Sequence, residues 1–127
     1  MSTAAERERR ALVAISALTV ASGAGQAAAP GMVLNVLGAE RSATTDHLFA
    51  TIGMFMVCAG GGLGHGLARR SRAPEPVLWA AAQKAGACAA VGIGVRRGVF
   101  SPLALGVAAF DGASGLLALD YWRRLRR

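Results

Sequence analysis

Lys84 and Asp111 are the residues of this 127-residue chain whose types and positions could do chemistry, because each stands as the single charge of a long apolar stretch. An ionisable side chain at membrane depth is costly unless it is paired or used, so the two imply an ion pair, a proton site or a ligand site. At a helical rise of about 1.5 Å per residue, Lys84 lies roughly 10 Å and Asp111 roughly 16 Å from the same end of their spans. A lysine stem covers that gap. Side chains lean toward their helix N-terminus, however, which tips Lys84 toward that end and Asp111 away from it. Asp120, roughly 3 Å from the end, is therefore a rival partner for Lys84. In that case Asp111 stays at mid-depth beside Ser114, Gln83 or a hydroxyl of the first span.

The remaining polar residues offer less. Gln26 ends the first span at the height where Asp46 and His47 open the next, so these three are candidates for a small outer ligand cluster, with Asp46 expected to cap its helix. Two potential ligands do not make a metal site, and none is expected. Cys58 and Cys88 fall at similar depth but lack the C-x-x-C spacing of a redox pair, so both read as small buried hydrophobes. His65 reads as interfacial. No catalytic residue is identified, and the chain is expected to be non-enzymatic.

The elements that must position these residues are four bilayer spans. Ala11 to Ala39 carries no charge, and the stretches Leu48 to Ala68, Val77 to Val95 and Gly98 to Leu119 hold only His65, Lys84 and Asp111 respectively. About 20 residues cross the hydrocarbon core as a helix, which predicts a single all-α integral membrane domain over 1–127 with spans near 11–29, 45–68, 77–95 and 102–122. Pro30 and Gly31 end the first span, and 31–38 is expected along the interface. Ala27 to Ala29 also resembles a signal-peptide cleavage site, but Pro30 at the scissile bond opposes that reading.

The net charge of +7 would suggest nucleic acid in a soluble chain, but the arginines are segregated. Arg7, Arg9 and Arg10, then Arg69, Arg70 and Arg72, then Arg123, Arg124, Arg126 and Arg127 all fall on one side, against Arg41, Arg96 and Arg97 on the other. The positive-inside rule then makes both termini cytoplasmic in a bacterial inner membrane, with Trp79, Tyr121 and Trp122 as aromatic anchors. The basic ends read as contacts for anionic lipid headgroups at Arg69, Arg70, Arg123 and Arg124, not for nucleic acid.

Spacing of three and four sorts the small and polar residues into interior stripes. These are Ser16, Thr19, Ser22 and Gln26; His47, Thr51, Met54, Cys58, Gly61 or Gly62 and His65; Lys84, Cys88 and Gly92; and Ala104, Ala108, Asp111, Ser114 or Gly115 and Ala118. Gly60 with Gly64 and Gly62 with Gly66 are small-xxx-small pairs, expected to pack within the bundle.

Pro30 to Gly38 after the first span, Asp46 opening the second, the glycine-rich second span, Gln83 with Lys84, and Phe100 to Asp111 with its Ser-Pro opening together resemble the DoxX-like group of small four-helix membrane proteins. Some members of that group resemble quinone-linked oxidoreductase subunits, which implies a lipid-soluble ligand such as a quinone, or a membrane-protein partner. The expected function is a non-enzymatic accessory or small-ligand-binding protein, quinone- or lipid-like in its ligand. The alternative is a proton-coupled small-molecule carrier that uses Asp111.

Overall fold

The computed structural model describes residues 2–69 and 73–127, and every element among them is helical. The order is α1 Thr3–Ala28, α2 Pro30–Val36, α3 Ala43–Ala68, α4 Glu75–Arg96, a 3-10 turn Pro102–Ala104, and α5 Leu105–Leu125. Arg70 and Arg72, which the sequence marks as part of a basic loop, lie outside the described residues. Helices α1, α3, α4 and the segment Pro102–Leu125 are long and apolar enough to cross a membrane, the architecture of a small multi-pass membrane protein.

Local chemistry explains the boundaries. α1 starts at Thr3, well before the expected 11, because the Ser2 hydroxyl accepts from the Ala5 N–H at 3.2 Å and Glu6 pairs with Arg9 and Arg10 at 2.9 and 3.1 Å. Pro30 breaks the chain's first helix and then opens α2, a position where its missing N–H costs nothing. Gly38 turns the chain out of α2 at φ 66°, and Leu37 O accepts from Ser101 N at 2.8 Å, tying that turn to the α4–α5 connection. α3 is capped by Ser42, whose side chain and that of Thr45 satisfy each other's backbone N–H. Asp46 is therefore not the cap. It sits in the first turn and holds Arg41 through bonds of 2.8 and 3.3 Å.

The long helices form a square in the order α1, α3, α4, α5. Two neighbouring pairs, α1 with α3 and α4 with α5, are closely packed hairpins, and the seams between them are looser. Glycine sets the tight crossing of α1 on α3: a Cβ on Gly23 would stand 2.6 Å from Gly53 O, and one on Gly53 2.6 Å from Gly23 O. About two and three turns further along α3, Gly60 would meet Ser16 O and Thr19 Cβ at 3.0 Å, and Gly64 the Ser16 hydroxyl at 3.0 Å.

The expected stripe of α5 is buried throughout, from Ala104 and Ala108 through Asp111, Ser114 and Gly115 to Ala118. On α1, Ser16, Thr19 and Gln26 face inward, but Gly23 takes the place assigned to Ser22, which is exposed. The α3 stripe is corrected outright. His47, Met54, Cys58, Gly61, Gly62 and His65 are exposed, and Gly53, Gly60, Leu63 and Leu67 are buried instead. Cys58 is thus not a buried hydrophobe, and Cys88 is half-buried.

At the end that carries the termini, Leu12, Leu63, Leu67, Val77, Ala118 and Tyr121 make a closed apolar core. Tyr121 belongs to this core and not to the outer surface expected of an anchor, whereas Trp79 is 72% exposed. Outside, Leu18, Phe55, Trp79 and Leu116 present the apolar surface that suits lipid.

Candidate functional site

Lys84 and Asp111 meet above this core. Lys84 Nζ lies 3.0 Å from Asp111 Oδ1 and donates to Thr19 Oγ1 at 2.8 Å, with both charged residues more than nine-tenths buried. Thr19 can accept because its own proton goes to Ile15 O at 2.8 Å. The ammonium also stands 5.3 Å from the centroid of the Phe110 ring, a cation–π distance. One lysine so joins α4, α5 and, across the diagonal of the square, α1.

Helix register explains why Asp111 is the partner. Gly115 packs at the height of Lys84, for a Cβ on it would touch Lys84 Cβ at 3.3 Å. Asp111 lies one turn further along α5 on nearly the same face, roughly 6 Å away, and the missing side chain of Gly115 lets the lysine stem climb to it against its usual lean. Asp120 lies five positions the other way, more than a third of a turn off that face. It is half exposed and bonded to Arg124 at 3.1 Å.

Beyond the pair the bundle does not close. A cavity of about 300 Å³ occupies the half remote from the termini, with Gln26, Gln83, Lys84 and Asp111 as its polar lining. Its apolar walls include Phe49, Ile52, Val91, Phe100 and Val107, of which Ile52 and Val107 are about half exposed and so stand at its edges. Gln26 donates from Nε2 to Phe49 O at 2.9 Å. The carbonyl can only accept, so this bond fixes the orientation of the amide and leaves Oε1 and the second Nε2 proton for other partners.

Gln26, Lys84 and Asp111 therefore share one cavity, whereas the outer cluster of Gln26, Asp46 and His47 does not assemble. Asp46 is turned to Arg41, whose guanidinium it holds more firmly protonated than usual, and His47 is exposed. Among the described residues no group of three or more His, Cys, Asp or Glu side chains could hold a metal. At the terminal end Arg124 is bonded to Glu8 at 3.0 Å as well as to Asp120, while Arg69 and Arg123 are exposed.

Sequence reading missed three contributors. Thr19 is visible there as a member of a stripe but not as a lysine acceptor, and neither the Phe110 ring nor the Phe49 carbonyl leaves a signal in residue spacing. The chain matches no protein-family model, no curated protein and no solved structure. No family match accompanies the DoxX-like resemblance.

Proposed function

We propose that this is a non-enzymatic membrane protein, an accessory or binding protein whose cavity receives a small quinone- or lipid-like molecule. The observation that carries the reading is a cavity of about 300 Å³, apolar in most of its wall, on which four polar side chains from three helices converge. Its size lies at the lower end for small-molecule sites, and a few placed polar groups in an apolar wall are what such sites use for orientation. The resemblance to DoxX-like proteins supports the same ligand class.

The proposed setting is a bacterial inner membrane with both termini cytoplasmic, from the arginine distribution. Exposed Arg69 and Arg123 are the headgroup contacts, joined by Arg70. Arg124 is held by Glu8 and Asp120, which makes it the weaker of the four expected contacts. A second membrane protein as partner belongs to the same proposal.

Native mass spectrometry from lipid tests ligand, partner and oligomeric state together. A small molecule retained by the native chain and lost from a Gln26→Met variant is the expected result. A bare monomer that takes up no added quinone or lipid overturns the reading. One observation favours a second function: Asp111 reaches the cavity with only Oδ1 bonded, which suits a proton-coupled carrier. Proteoliposome uptake that depends on a pH gradient and vanishes in Asp111→Asn would replace the binding reading with that one.

A further inference from the structure

Helices α4 and α5 close on each other through small residues, and this leaves a cleft on the outer side of their hairpin. A Cβ on Gly115 would stand 3.3 Å from Lys84 Cβ and 3.4 Å from Ala85 N, and one on Gly112 3.1 Å from Cys88 Sγ. With Ala81, Ala82, Ala85 and Ala89 opposite, little side chain fills the outer edge of that seam. What remains is a groove of about 540 Å³, rimmed by Leu78, Leu116 and Leu119 and sharing no lining residue with the Lys84–Asp111 cavity. Its walls are apolar but for the Cys88 thiol, and Leu116 at its rim is 72% exposed.

The length of the groove and the charge at its mouth indicate what fills it. Along α4 it runs from Leu78 to Ala89, roughly 16 Å at a rise of about 1.5 Å per residue. That is the depth of one leaflet, half of a hydrocarbon core of about 30 Å, and too short for the full-length helix of a membrane-protein partner. The mouth lies at the end that carries the chain termini, where exposed Trp79 stands next to Leu78 as an interfacial aromatic does. Past the mouth the groove face of α5 continues to Arg123 and Arg126, about one and two turns beyond Leu119. Their side chains lean back toward the helix N-terminus and so toward the mouth. Arg123 is exposed and makes no ion pair among the described residues, and the Arg126 guanidinium lies 4.8 Å from the Trp122 ring centroid. Glu75 opens α4 at the edge of the same face, while Asp120 is turned away and bonded to Arg124, so two guanidinium groups face one carboxylate.

We infer that the groove holds one acyl chain of an anionic phospholipid from the leaflet on the side of the termini, with its phosphate on Arg123 and Arg126. The inference rests on the membrane setting proposed above and makes Arg123, there a headgroup contact, part of a defined site. The acyl chain supplies the contacts that the small residues of the seam cannot make with each other. The guanidinium forks match the phosphate oxygens, and the net positive mouth selects an anionic over a zwitterionic headgroup.

Native mass spectrometry of the full chain from detergent tests this with two lipids of identical chains, palmitoyl-oleoyl phosphatidylglycerol and palmitoyl-oleoyl phosphatidylcholine. The native chain is expected to retain a first phosphatidylglycerol at least about fivefold more tightly, the factor one arginine at the surface contributes. Arg123→Gln should weaken phosphatidylglycerol by about that factor and leave phosphatidylcholine unchanged. Ala85→Phe fills the groove from an exposed position, away from Arg123, and should abolish the tight adduct. Unchanged phosphatidylglycerol binding in a folded Ala85→Phe, with the loss in Arg123→Gln intact, overturns the groove and leaves Arg123 a simple headgroup contact. Equal affinity of the native chain for the two lipids overturns the anionic site and that headgroup role together. A dimer or larger assembly that Ala85→Phe breaks makes the groove a protein seam and overturns the lipid. Should Ala85→Phe not fold, Ala82→Leu blocks the same groove about one turn nearer the mouth, also from an exposed position.

Discussion

Lys84 does at residue scale what a buried cation must do: its ammonium is met by a carboxylate, a hydroxyl and an aromatic ring. Removing one member of a buried pair leaves an uncompensated charge, so Lys84→Met and Asp111→Asn are each expected to lower stability by about 3–5 kcal/mol. The double variant should be more stable than either single one, measured by thermal unfolding in micelles as a double-mutant cycle. Simply additive losses would show that the pair contributes nothing as a pair. Thr19→Val should cost less, about 2 kcal/mol, because the ammonium keeps Asp111, and Thr19→Ser should restore most of it. The two charges were legible in the sequence because nothing else ionisable shares their stretches. Their partnership was not settled there, since side-chain lean alone favours Asp120, and only the register of Gly115 against Lys84 reverses that preference.

Between elements, contact in a bilayer is decided by how closely backbones can approach more than by polarity. Gly23 and Gly53 make the closest approach of α1 to α3, so Gly23→Ala or Gly53→Ala is expected to cost about 1–3 kcal/mol through forced separation of the helices. Gly61→Ala and Gly62→Ala serve as controls. Nothing lies within 4 Å of a Cβ at either position, and both should be neutral or gain up to about 1 kcal/mol from better helix propensity in the same unfolding assay. This contrast explains which faces could be read in advance. On α5 the small residues and Asp111 fall on one stripe, so packing and polarity point the same way. On α3 they diverge: His47, Cys58 and His65 mark a polar-looking face, but glycines at 53 and 60 offer the closer fit, and the close fit is what is buried. The four spans themselves were legible from unbroken apolar length, and the end of the first from Pro30 and Gly31, whereas the helical form of α2 was not. The early start of α1 was not, because a charged first turn held by Ser2, Glu6 and two arginines has no apolar pattern to reveal it.

The whole molecule is asymmetric along its axis, a packed half at the termini and a cavity in the other. The proposed orientation sets the packed half toward the cytoplasm. A green fluorescent protein fused to either terminus should then fluoresce, and alkaline phosphatase fused there should be inactive. The reverse pattern would invert the bundle and open the cavity's end to the cytoplasm. The two halves also differ in how the chain reaches them. Lys84 and Asp111 lie on α4 and α5, the two arms of one hairpin, whereas Thr19 belongs to the other hairpin. A lone charge at the centre of an inserting helix costs on the order of 2.5–3.5 kcal/mol. The second hairpin can meet that cost internally, entering the bilayer electrically neutral before it has touched α1. Biogenesis then reduces to docking two self-sufficient hairpins, and the Thr19 hydroxyl is the contact through which the lysine registers that docking is complete.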